Sequence, residues 1–138
     1  MNVRDVMTRN PRTVAPSDSI QRAASVMKEV DTGFVPIVEN GKVVGVITDR
    51  DIVVRAVAAG SYDKPVSEIA TRDLVFVSPN ATTREAEKLM SERQIRRIAV
   101  VDNGQLVGII SLGDIAVKEG KDARTGDTLE NISEGVKH

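Results

Sequence analysis

The sequence predicts an α/β protein made of one supersecondary unit written twice, and three observations carry that prediction. The second copy follows the first at a constant spacing of 63 positions, the separation of Gly41 from Gly104, with no insertion or deletion. Slid by that amount, Val3 falls on Val66, Thr8-Arg9 on Thr71-Arg72, Val44-Gly45 on Val107-Gly108 and Asp51-Ile52 on Asp114-Ile115. Within each copy the apolar residues change from helical spacing to nearly continuous β-branched runs, and two such runs bracket an Asn-Gly dipeptide. Tandem copies of one unit usually mean that neither buries its apolar face alone. A pseudo-two-fold pair also builds two equivalent clefts where the copies meet.

Each copy opens on a short helical turn, Val3-Arg4-Asp5-Val6-Met7 and Val66-Ser67-Glu68-Ile69-Ala70. Brief strands follow at Arg12-Thr13-Val14 and Val75-Phe76-Val77, each stopped by a proline, Pro16 or Pro79. The next element is a helix. Ile20, Ala23, Ala24 and Met27 recur at helical spacing, as do Ala86, Leu89, Met90 and the stem of Arg93. Thr82-Thr83-Arg84-Glu85 has the capping-box pattern at the start of the second of these helices. Phe34–Val38 and Val43–Ile47 then flank Asn40-Gly41, and Ile98–Val101 and Leu106–Ile110 flank Asn103-Gly104, the dipeptide that best accepts positive φ in a tight hairpin. The continuous apolar character of these strands predicts a sheet buried on both faces. A last helix closes each copy, from Asp49 to about Ala59 and from Leu112 to about Glu119. The order is helix–strand–helix–strand–strand–helix, twice. Residues 61–65 link the copies, and the polar tail 121–138 carries only Leu129, Ile132 and Val136 at the spacing of a short amphipathic helix.

Composition removes much familiar chemistry. The 138 residues are 41% hydrophobic, mostly Val, Ile, Ala and Leu, with no Trp, one Tyr (Tyr62) and two Phe (Phe34, Phe76). Small aliphatic side chains suit strands packed under helices and do not line a large aromatic pocket. The charge balance, 19 basic against 20 acidic residues, does not suit a protein that neutralises many nucleic-acid phosphates. Without cysteine there is no disulfide, thiolate metal site or cysteine nucleophile, and the lone histidine, His138, cannot build a zinc site or a triad. No apolar run approaches the roughly 20 residues that span a bilayer, and Met1–Asp5 does not read as a signal peptide, so the expected location is the cytoplasm.

The chemistry-bearing pattern lies where the last strand of each copy meets its last helix. It reads Gly45-Val46-Ile47-Thr48-Asp49-Arg50-Asp51 and Gly108-Ile109-Ile110-Ser111-Leu112-Gly113-Asp114. A hydroxyl ending a strand at the mouth of a helix lies where unpaired N–H groups and the helix dipole favour an anion. The Asp one turn later can accept hydrogen bonds from both hydroxyls of a ribose, and the strand glycine lets another group approach the backbone. The same Ser/Thr-x-x-Asp spacing is a capping box, useful for stability in any protein. Both readings stand at this level.

The full pattern resembles the cystathionine β-synthase (CBS) domain, and the tandem pair resembles a Bateman module. The residues that carry it are Thr13-Val14-Ala15-Pro16, Val35-Pro36-Ile37-Val38, Asn40-Gly41 and Gly45–Asp51, with Val77-Ser78-Pro79, Arg96–Asp102, Asn103-Gly104 and Gly108–Asp114 in the second copy. The resemblance spans nearly the whole chain. It implies CBS domains at 1–60 and 66–120, packed through their sheets, two clefts that bind adenosyl ligands, and homodimers of CBS pairs. Carried onto this sequence, Asp51 and Asp114 hold ribose hydroxyls, and Thr48 and Ser111 contact ribose or phosphate. Thr13, Val14, Val35, Pro36, Phe76, Val77, Ile98 and Ala99 sandwich the base, and Arg96 and Arg97 face phosphate, while Arg50, inside the first motif, is a further ligand-binding candidate. Arginine suits that role because its planar fork gives paired, charge-assisted hydrogen bonds. The copies differ: Gly33 and Phe34 stand at the positions of Arg96 and Arg97, Ala99 at that of Pro36, and Leu112 and Gly113 at those of Asp49 and Arg50.

The expected function is therefore a stand-alone sensor of AMP, ADP, ATP, NAD or S-adenosylmethionine, with no obligatory cofactor, no metal and no catalytic residue. Ligand binding would alter the CBS pair or its dimer, and a separate effector protein would read the change. The alternatives are an interaction scaffold whose motifs are only caps and, further off, a subunit associated with an enzyme. Nucleic-acid binding through Arg93, Arg96 and Arg97 lacks stacking aromatics and ranks last among binding roles.

Overall fold

A computed structural model describes residues 1–119 of the chain, and the expected helix in the tail 121–138 lies outside the described residues. The described chain is mixed α and β and follows the expected element order in both copies. It forms two compact units. The first comprises Pro11–Leu74 with the hairpin tip Gly104–Leu106; the second comprises Met1–Asn10, Val75–Asn103 and the described residues from Val107. Spatial unit and sequence repeat are thus different divisions of the same chain.

In the first unit, α1 (Ile20–Val30) starts at Ser19, whose side chain accepts the Arg22 N–H, and stops at Asp31 in the left-handed conformation. β2 (Phe34–Glu39) and β3 (Lys42–Thr48) pair antiparallel about Asn40-Gly41, both with positive φ, as the dipeptide predicts. Val14 forms a single parallel bridge to Ile37 on the far side of β2, so the expected strand at Arg12–Val14 shrinks to one bridge residue. Thr71 bridges Val46 on the far side of β3. Three consecutive buried residues in each hairpin strand, Val35–Ile37 and Gly45–Ile47, bear out the continuous apolar runs.

The closing helix departs from expectation. It is α-helical only as α2 (Asp49–Asp51) and continues as a π-helix over Ile52–Val57. Its hydrogen bonds lengthen by one residue, as in Ala58 N–H to Val53 O at 2.9 Å and Ser61 N–H to Ala56 O at 3.0 Å. Three β-branched side chains in a row, Ile52-Val53-Val54, crowd the preceding turn of an α-helix, and the wider winding coincides with that run.

The second unit repeats the plan, with two-residue strands where the first has the single bridges of Val14 and Thr71. β4 (Phe76–Val77) runs parallel to β5 (Arg97–Asp102), β5 neighbours β6 (Gln105–Ser111), and β1 (Thr8–Arg9) runs antiparallel to β6. α3 (Thr83–Arg93) opens on the expected capping box of Thr82 and Glu85. Arg93, expected to lend its stem to the buried stripe, is exposed, whereas Glu87 is buried on that helix. α4 (Leu112–Glu119) stays α-helical where the first unit turns to π; its corresponding run, Ile115-Ala116-Val117, has alanine in the middle.

Each unit takes its opening turn from the other repeat. Val66 and Ile69 lie in the core of Met27, Val35, Ile37 and Ile47, whereas Val3 and Val6 lie in the core of Met90, Ile98, Val100 and Ile110. The backbone repeats the exchange at the same offset. Val66 N–H donates to Asp18 O and Ser67 N–H to Pro16 O, while Val3 N–H donates to Ala81 O and Arg4 N–H to Pro79 O. Turns Val3–Asp5 and Val66–Glu68 are both 3-10 helical, the tight form common in short connectors.

Candidate functional site

The junction of last strand and last helix forms a reciprocal cap in both units. In the first, Thr48 N–H donates to Asp51 Oδ2 at 3.0 Å and Asp51 N–H donates to Thr48 Oγ1 at 3.1 Å. In the second, Ser111 N–H donates to Asp114 Oδ2 at 3.3 Å and Asp114 N–H donates to Ser111 Oγ at 3.0 Å. The cap is therefore real in both copies. Beyond it, the surroundings diverge.

Asp51 is only 6% exposed. The Thr71 hydroxyl donates to its carboxylate, 3.2 Å from each oxygen, and Arg55 Nε stands 3.9 Å from Oδ1. Arg55 also donates through Nη1 to the carbonyls of Ile69 at 3.4 Å and Ala70 at 3.2 Å, which fastens the strand segment that carries Thr71. Thr71 and Arg55 are the site residues that sequence reasoning missed. The signal was present: Arg55 lies four residues after Asp51, the spacing of a helical ion pair.

Asp114 is half-buried, and among the described residues its carboxylate accepts only the Ser111 N–H. Thr8 and Lys118, at the positions of Thr71 and Arg55, are exposed and make no hydrogen bond or ion pair with it. Arg96 and Arg97 are exposed as well, and no described ion pair uses them. The Arg96 carbonyl accepts the Leu112 N–H at 2.9 Å, which fixes the Arg96 backbone beside the first residue of α4 and next to Ser111. The Asp49 N–H makes the same bond to Gly33 O at 3.0 Å in the first unit, where no cation is carried. Arg50 is exposed, and its backbone N–H bonds to Asp49 Oδ1.

The residues expected around a base divide by exposure. Val14, Val35, Pro36, Ile98 and Ala99 are buried, while Thr13 and Phe76 are exposed and Val77 is half-buried. Pairing within each unit brings them together: Phe76 stands opposite Ala99, and Val14 exchanges hydrogen bonds with Pro36 and Val38. The strand glycines behave differently from one another. A Cβ on Gly108 would lie 2.7 Å from Met7 Sδ and 2.8 Å from Thr8 O, so the close-approaching group there is the chain's own β1. At Gly45 the nearest atoms are at 3.5 Å, an ordinary contact.

Two cavities in the first unit lie away from these caps. One of about 700 Å³ is open and lined by Pro16, Ser19, Tyr62, Lys64 and their neighbours; a smaller one of about 210 Å³ is lined by Ile37, Val44, Gly45, Arg72 and others. Neither includes Thr48, Asp51 or Arg50. Among the described residues no cluster of acidic or histidine side chains could hold a metal ion, and no helix is long and apolar enough to cross a membrane.

The CBS domain family model matches residues 3–57 and 66–118. The chain belongs to the CBS domain family. It is 44% identical over 133 residues to the CBS domain-containing protein YhcV of Bacillus subtilis (strain 168), covering 96% of this chain and 95% of that one. The solved CBS domain pair of protein MJ0100, in complex with 5′-methylthioadenosine and S-adenosyl-L-methionine, is 31% identical with a TM-score of 0.79, over 88% of this chain and 98% of that one. CBSX2 in complex with AMP is 27% identical with a TM-score of 0.76, over 86% of this chain and 95% of that one. As a CBS pair, the chain has the two-copy architecture of these ligand-bound relatives.

Proposed function

We propose that this CBS pair is a regulatory module that binds an adenosine-based small molecule, with Ser111 and Asp114 receiving the ribose and Arg96 and Arg97 the phosphate or its replacement. The observation that carries the reading is the half-buried Asp114 carboxylate, which among the described residues is capped on one oxygen only, beside a backbone that presents Arg96. The adenosyl ligands held by MJ0100 and CBSX2 support it. Asp51 and Thr48 are the equivalent pair of the first repeat, and each unit offers its own residues to a base, Thr13, Val14, Val35 and Pro36 in the first and Phe76, Val77, Ile98 and Ala99 in the second. Binding signals through the pair or a homodimer to a separate effector in the cytoplasm, and the chain itself performs no catalysis. The free energy available for that signal is the ligand's differential affinity for two arrangements of the protein.

A thermal-shift panel of AMP, ADP, ATP, NAD and S-adenosylmethionine tests this. A ligand at about 100 times its Kd adds roughly 2.7 kcal/mol, enough to move the midpoint by several degrees. The expected result is a shift for one class that Asp114→Ala abolishes. A 2′,3′-dideoxy analogue should lose far less in that variant, because the carboxylate has no ribose hydroxyl to release. Replacing both Arg96 and Arg97 with Ala should penalise AMP and spare adenosine. No shift with any ligand would mean that the motifs are caps and the pair is a scaffold.

A further inference from the structure

The two equivalent carboxylates are not equally available to a ligand. Building on the nucleoside-binding reading, we propose that Thr71 and Arg55 form a latch that holds Asp51 against its own chain, closing the first repeat to a ribose and leaving the second repeat as the working site. A ribose hydroxyl approaching Asp51 meets a carboxylate that is 6% exposed and already accepts the Thr48 N–H and the Thr71 hydroxyl. Thr71 is itself fixed. Its backbone exchanges hydrogen bonds with Val46 in both directions, at 2.9 and 3.0 Å, and Arg55 grips the two carbonyls that precede it.

The second repeat holds the same parts unlatched. Thr8 pairs with Ile109 on β6 as Thr71 pairs with Val46, yet its hydroxyl makes no bond to Asp114. Lys118 replaces Arg55, and an ammonium lacks the fork that reaches two carbonyls and a carboxylate together. The helix after the motif is π-wound only in the latched repeat, so the difference extends into the backbone from which Arg55 projects. The latch is competitive: a ribose hydroxyl supplies the same kind of donor as Thr71. Ligand therefore binds the first repeat only from the fraction of molecules in which Thr71 has let go, and its apparent affinity falls by that fraction, roughly tenfold or more for one charge-assisted hydrogen bond.

Isothermal titration of the full chain with AMP, and separately with S-adenosylmethionine, tests the latch. The wild type should show one tight site per chain, lost in Asp114→Asn. Thr71→Val, which keeps the shape and removes the hydroxyl, should strengthen a second site by roughly tenfold; adding Asp51→Asn should remove it. Thr71→Ser retains a hydroxyl and should behave as wild type, an outcome that a packing role for Thr71 would not give. Should Thr71→Val fail to fold by circular dichroism, Arg55→Lys supplies the same test, with a smaller gain at the second site. Two equal sites in the wild type, or a single site lost with Asp51→Asn and kept with Asp114→Asn, would overturn the latch while leaving the nucleoside reading intact. Absence of binding in every variant would remove both.

Discussion

Around Asp51 the carboxylate meets a backbone N–H, a hydroxyl proton and a guanidinium; around Asp114, among the described residues, it meets a backbone N–H alone. The two residues occupy one position of one repeat and their strands and reciprocal caps match, although Leu112-Gly113 stands before Asp114 where Asp49-Arg50 stands before Asp51. The difference comes from segments that the motif itself does not contain: the stretch carrying Thr71 and the helix carrying Arg55. A duplicated site can therefore diverge in availability while its signature stays unchanged. The gain on one side is stability, since a buried carboxylate with satisfied oxygens holds a strand and a helix together. The gain on the other is an open acceptor.

The largest test of that contrast is stability without ligand. Asp51→Ala should cost about 3 kcal/mol, because it removes a cap and leaves Thr71 and the Thr48 N–H without their acceptor. The half-exposed Arg55 adds little to that sum. Asp114→Ala should cost about 1 kcal/mol, the value of a cap. Urea denaturation midpoints at constant m read both, and equal losses would erase the distinction. Next come the strand glycines. Gly108→Ala drives a Cβ into the Thr8 carbonyl and should cost about 2 kcal/mol. Gly45→Ala has room and should stay within about 1 kcal/mol.

A smaller effect sharpens the exchange of opening turns. Val3→Ala and Met90→Ala share a core and should couple by about 1 kcal/mol in a double-mutant cycle, whereas Val3→Ala and Met27→Ala should add independently. Coupling to Met27 instead would place Val3 with its own repeat. The smallest difference lies at the helix starts. Glu85 closes the capping box of α3, and Glu85→Ala should cost about 0.5 kcal/mol; Arg22, at the same position of α1, closes nothing and should be near neutral.

Local chemistry was the legible part of the fold. Asn40-Gly41 and Asn103-Gly104 announce hairpins because few other residues accept positive φ twice in succession, and both pairs adopt it. Val35–Ile37 and Ile98–Val100 announce buried strands by continuous apolar character. The π-helix at Ile52–Val57 was hidden, because the amphipathic pattern that marks a helix does not report how tightly it is wound. The exchange of openers was hidden for another reason. Val3 and Val66 are interchangeable in pattern, and periodicity says which residues want burial, never against which copy. In the site, Thr48, Asp51, Ser111 and Asp114 were readable from spacing, and the cap geometry follows it. Thr71 was not readable, since its contact to Asp51 spans 20 positions and depends on strand pairing across Val46.

The crossed openers also set an order of events during synthesis. As the chain leaves the ribosome, Met1–Asn10 waits for its partner, since the strand β6 against which Thr8 and Arg9 pair comes about a hundred residues later. The body of the first repeat appears next, but its core stays short of Val66 and Ile69 until the linker has passed. Neither half can finish alone, so contacts of long sequence separation close last and slow the final step. A half-length chain could complete itself only by lending its opener to another copy of itself and borrowing one in return. The present protein reads as that exchange made permanent by joining the two copies end to end.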